Sequence, residues 1–135
     1  MAKKTPRKKI DAAKYNDFKK VADNFIKGAE LAFEFDYFNA AGVLIIHAAI
    51  ALADAVTIKL SSQKCTGDNH YEIISLLKDV TPELKHKIGA INHFKNLIDH
   101  KNAVSYTGDI YNKKDVDILF KHFNRFSNWT KSILE

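Results

Sequence analysis

Cysteine is almost missing from this chain: Cys65 is the only one in 135 residues, so no intrachain disulfide can form and a multi-cysteine zinc site is excluded. That usage suits a reducing compartment, and a cytoplasmic location is expected. Proline and glycine are scarce too, with 2 and 5 copies. No low-complexity linker divides the chain, and no internal repeat of solenoid period is present. No segment sustains the alternation of a strand. The first residues carry no apolar stretch behind their basic ones, so no secretory signal is expected. One continuous helical domain is what these absences leave.

Charge is unevenly spread. The net +5 looks like a nucleic-acid signal, yet Lys3, Lys4, Arg7, Lys8 and Lys9 supply all of it. Without those five, the 21 Lys and Arg residues fall to 16, equal to the 16 Asp and Glu residues, all beyond position 10. The expectation is a basic flexible tail over 1–10 and a neutral folded body over 11–135. Such a tail says little about partners by itself.

What the sequence does have is helical periodicity. From about Asp11 to Glu34, Phe18, Val21, Ala22, Phe25, Ile26, Ala29, Ala32 and Phe33 recur at spacings of three and four. Tyr37 to about Leu60 is apolar nearly all round, as the central helix of a bundle must be. Its run from Ala40 to Val56 is broken only by His47 and Asp54; a central Asp and many alanines argue against a membrane span. Ser61 to Asn69 reads as a turn. A short helix comes next and runs to Val80, with Asp68 or Asn69 as its cap. Thr81-Pro82-Glu83 predicts the start of a fourth helix, whose stripe is Leu84, Ile88, Ile91, Ile98, Asn102 and Tyr106. Thr107-Gly108-Asp109 ends it, and a last helix runs from about Lys113 to Leu134. The predicted fold is all-α, an up-and-down bundle of four long helices plus one short one.

Little in this pattern supports ordinary catalysis. His86, His93 and His100 recur every seventh residue, about 10.5 Å apart along a helix, too far for one ion to bridge. Glu83 and His86 form a single Glu-x-x-His, where a di-iron bundle needs two. No nucleophile elbow, Walker loop or dinucleotide glycine motif exists, so neither a cofactor nor a metal is expected. The polar anomalies are sharper. His47 and Asp54, seven apart, share one face of an apolar helix and need partners there or a cleft. Asn102 and Tyr106, beside Lys101, continue an apolar stripe with polar groups, as either a lined cleft or a capping network would.

These segments together carry a resemblance. Asn39-Ala40-Ala41-Gly42, His47-Ala48-Ala49-Ile50-Ala51-Leu52-Ala53-Asp54-Ala55, Gly67-Asp68-Asn69-His70 and Asp99-His100-Lys101-Asn102-Ala103-Val104-Ser105-Tyr106 resemble the HEPN superfamily, the nucleotide-binding domains of prokaryotes and higher eukaryotes. The likeness spans roughly residues 10–134. Many members of that superfamily are metal-independent ribonucleases of toxin or defence systems. Their motif is Arg, a polar residue often Asn, three variable residues, then His, and two copies meet across a dimer cleft. Here Lys101 stands for the Arg, Asn102 keeps the polar residue, and Tyr106 stands for the His.

Those departures change the chemistry. Lysine can meet a phosphate but lacks the bidentate fork, and tyrosine stays protonated at neutral pH, which makes it a poor general base. The resemblance therefore implies a non-catalytic nucleotide- or RNA-binding or regulatory domain, dimeric, with Asn102 and Tyr106 lining a cleft and Lys101 on phosphate. Asp54, His47 or His70 would position them. Two alternatives come with it: a metal-independent endoribonuclease using the altered motif, and a structural partner of a nucleotidyltransferase-like protein.

Overall fold

A computed structural model of the chain describes residues 6–135. Its elements are β1 (Arg7–Lys9), a 3-10 turn (Ala12–Lys14), α1 (Tyr15–Glu34), α2 (Phe38–Ser61), β2 (Gln63–Cys65), α3 (Tyr71–Val80), α4 (Lys87–Asp99), α5 (Lys101–Ser105) and α6 (Lys113–Leu134). α4 and α5 together form the fourth long helix, interrupted at His100. The all-α bundle of four long helices and one short one is thus the architecture.

α2 is the axis of the packing and touches every other helix. Ala41, Ala48, Ala49, Ala53 and Ala55 are fully buried along it, so neighbouring backbones can approach closely. By length and composition α2 could cross a membrane, but in this fold it is the buried core helix. α1 folds back on it through a tight turn at Asp36, whose positive φ ends the first helix. α4 and α6 close the far side through Phe94 and Phe126, stacked 4.8 Å apart and both fully buried. Burying each such ring contributes about 1.5–3 kcal/mol.

α6 runs over the residues its periodicity predicted, and a reciprocal capping box between Asn112 and Asp115 fixes its start. Three other expectations need correction. The tail ends early, because Arg7–Lys9 pair antiparallel with Gln63–Cys65. Arg7 ties this strand down by reaching Asp79 at 3.0 Å and Gln63 at 3.2 Å. Of the basic cluster, Lys3 and Lys4 lie outside the described residues. The predicted turn over 61–69 accordingly contains β2, three residues too short to show alternation.

The fourth helix starts later than Thr81-Pro82-Glu83 suggested. The Thr81 hydroxyl donates to the Leu77 carbonyl at 2.6 Å, and so finishes α3 instead of capping the next helix. Lys87, buried, sends its ammonium back to the Lys78 and Thr81 carbonyls at 3.1 and 2.8 Å. Between them the chain turns, with His86 at φ 70°. Leu84 and Ile88 are therefore exposed, 40% and 76%, and the inward stripe is Ala90, Ile91, Phe94, Leu97 and Ile98. After the break at His100, Val104 takes the inward position that Asn102 and Tyr106 were expected to continue.

Candidate functional site

His47 and Asp54 lie on one face of α2, as their spacing required. β2 brings Lys64 and Cys65 to the Asp54 end of that face, and the chain then places His70 just before α3. Lys101 opens α5. The geometry that fixes Lys101 is well defined. Tyr71 donates to Asp99 at 2.6 Å and the Tyr111 hydroxyl meets His100 Nδ1 at 2.6 Å, so both residues before Lys101 are held. Behind it, Val104 packs on Gly42, where an added Cβ would come within 2.7 Å of the Val104 side chain. Only glycine lets α5 sit that close to α2.

The electrostatics link these groups. Burial first, and the Lys101 ammonium second, hold the His47 imidazole below its ordinary value. Burial, then Lys101, His47 and Lys64, do the same to His70 against the weaker pull of Asp68. Both rings are predominantly neutral at pH 7 as a result, and His47 packs edge-on to Phe25 at 6.2 Å. Four cationic or titratable nitrogenous side chains therefore share one electrostatic neighbourhood.

Asp54 answers them from inside the fold. It is 5% exposed, and burial raises its carboxyl to about 6 although Lys64 opposes the rise. The ion pair is loose, with Lys64 Nζ 3.7 Å from Oδ2, beyond hydrogen-bond reach. Oδ1 has no hydrogen-bond partner among the described residues. Burial and the Asp54 charge also push the Cys65 thiol up to about 11, so it is protonated and unreactive at neutral pH. Gly67 leaves room for the Glu72 carboxylate, which a Cβ there would meet at 2.5 Å.

The remaining motif residues face outward. Asn102 is exposed and makes no side-chain hydrogen bond among the described residues, and Tyr106 is 76% exposed. The two therefore do not line a cleft within the single chain. Lys101 Nζ stands 5.7 Å from the centre of the Tyr106 ring, a cation–π distance. Exposed apolar side chains gather at this end of the bundle: Phe35 and Tyr37 beside α2 and Ile110 after α5, at 64%, 65% and 88%. Asn39 joins the two segments by donating to the Val104 and Asp109 carbonyls at 3.0 and 2.9 Å and accepting from the Tyr111 amide at 2.9 Å.

Sequence reasoning missed three participants. Lys64 as the counter-ion of Asp54, and Tyr111 as the partner of His100, come from turns whose spacing carries no signal. Asn39 could have been suspected from an uncompensated Asn at the start of an apolar helix. His93 and His122 approach to 2.9 Å across α4 and α6. Among the described residues, however, no group of three or more His, Cys, Asp or Glu side chains could hold a metal ion. Comparison with protein-family models, with characterised proteins and with solved structures returned no match to this chain.

Proposed function

We propose that this protein is a non-catalytic nucleotide- or RNA-binding domain of the cytoplasm, acting as a homodimer. One observation carries the reading: the Lys101 ammonium lies over an exposed Tyr106 ring, within electrostatic reach of His47 and His70. A fixed cation beside an open aromatic face is what a nucleotide needs, since the cation meets phosphate and the ring stacks on the base. Lysine contributes as a point charge here, suiting phosphate without strict geometry. The large exposed side chains Phe35, Tyr37 and Ile110 support pairing of two copies, because exposed apolar surface is what an interface would cover. Binding without turnover is favoured because Tyr106 stands where the family it resembles has its histidine, and a phenol is a poor general base at neutral pH. Its hydroxyl makes no hydrogen bond to any described residue, and Cys65 is a buried thiol.

Titrating a labelled single-stranded RNA and a labelled nucleoside diphosphate into wild type, Lys101→Ala and Tyr106→Ala tests this. Each substitution is expected to weaken binding about tenfold, the range of one lost phosphate or stacking contact. Wild-type protein that binds neither probe at physiological salt, or variants that bind like wild type, would overturn it. Metal-independent RNA cleavage that disappears in Tyr106→Phe would instead identify the endoribonuclease alternative. Stable co-purification with a nucleotidyltransferase-like protein, without retained nucleotide, would identify the partner module.

A further inference from the structure

A concavity lies between the start of α4 and the end of α6, away from Lys101. It is a groove of about 770 Å³, within the ordinary size of a small-molecule site. Its charged lining is one-sided, with Lys85 and Arg125 as fixed cations, His86 beside them, and no Asp or Glu. The nearest acid in sequence, Glu83, is turned to Lys87 at 3.1 Å. Two cations facing a concave surface without a carboxylate leave an unmatched positive potential.

Two further features sharpen what the groove would accept. The first is its wall, to which Trp129, 5% exposed, contributes the edge of a large aromatic ring. The second is the helix end. No side chain caps the first turn of α4, and the backbone amides of Ile88 and Gly89 find no acceptor among the described residues. Nothing lies within 4 Å of where a Gly89 Cβ would be, so the space over this turn is open. The open helix amides and the two cations favour a negative ligand group, while Trp129 and Leu84 offer apolar surface to the rest of it.

We propose that this groove binds a small anionic amphiphile, its carboxylate or comparable acidic head between Lys85, Arg125 and the start of α4, its apolar body along Trp129. The site is separate from Lys101 and does not depend on nucleotide binding there.

Trp129 is the sole tryptophan of the chain, so its fluorescence reads occupancy directly. Decanoate, titrated below its micelle concentration, is expected to change the emission saturably. Decanol, with the same tail and no charge, should bind at least about tenfold more weakly, as should decanoate to Arg125→Ala. Gly89→Leu should fill the groove and abolish the response without unfolding the protein, since the position is open and leucine is the better helix former. Circular dichroism and the thermal midpoint establish that this variant is folded. Lys101→Ala should leave the titration unchanged, which keeps this result independent of the nucleotide test. No saturable response in wild type, equal binding of decanol and decanoate, or unaltered binding by folded Gly89→Leu would overturn the proposal.

Discussion

The two ends of α2 treat a polar side chain in opposite ways. At one end Asn39 uses both faces of its amide, with three hydrogen bonds of 2.9–3.0 Å that tie the α5–α6 connection to the helix. At the other, Asp54 is more deeply buried yet has one loose ion pair and an oxygen with no partner among the described residues. A fully paired polar group is architecture: it specifies where the next segment goes. An under-paired one is a persistent penalty, and a fold that keeps it close to Lys64 and Cys65 makes that corner the chemically unsettled part of the helix.

The largest effect expected from this contrast is a gain in stability. Asp54 has its carboxyl raised from 3.8 to about 6, so ionising it opposes folding. The penalty is absent below the unfolded value, grows as pH rises from about 4 to 6, and is complete above that. At about 1.4 kcal/mol per pH unit the upper bound is on the order of 3 kcal/mol. Asp54→Asn should therefore raise unfolding free energy by about 2–3 kcal/mol at pH 7–8 and by nothing measurable near pH 4. Urea denaturation at a series of pH values checks it, and destabilisation at neutral pH would break the contrast. The second effect has the opposite sign. Asn39→Ala removes three partly exposed hydrogen bonds and should cost about 2 kcal/mol with little dependence on pH. Hydrogen exchange in that variant should rise first in Val104 to Tyr111, the segment Asn39 holds.

Both residues show how far the sequence could be read. The long helices were legible for two reasons: α1 and α6 each lay one apolar stripe on the bundle, which imposes a period, whereas α2, buried on nearly every side, stands out as a long apolar run. The shared face of His47 and Asp54 followed from their separation by seven. The face of Asn102 and Tyr106 did not, because the buried arc is the one through Ala90, Phe94, Leu97 and Val104, and both residues fall outside it, as Leu84 and Ile88 do. The interruption at His100 has no local mark either: Tyr71 on Asp99 and Tyr111 on His100 hold it, contacts from distant elements. Thr81 misled for a related reason. Its residue type correctly announces a helix end, but the hydroxyl serves the helix before it, while the carbonyl takes the Lys87 ammonium from the helix after. The pairing of β1 with β2 was illegible because three residues carry no period, and the groove at Trp129 because its cations, Lys85 in the turn before α4 and Arg125 in α6, are distant in sequence.

The smallest effect is the most informative about the Asp54 corner. Lys64 is only 31% exposed along its side chain and 3.7 Å from the carboxylate, so the pair should be worth about 0.5–1 kcal/mol, near the upper end for a partly solvated contact. Lys64→Met is expected to raise the Asp54 carboxyl further, and so to deepen the stability loss above pH 6 while leaving stability near pH 4 almost unchanged. In an Asp54→Asn background the same substitution should lose most of its effect, the coupling that a double-mutant cycle isolates. Coupling of that size would mean Lys64 is committed to Asp54 and lends little to an incoming phosphate. Coupling near zero would mean the ammonium is held by the Cys65 carbonyl, 3.2 Å away, and not by the carboxylate, which leaves its charge unmatched and adds Lys64 to Lys101 as a candidate phosphate contact.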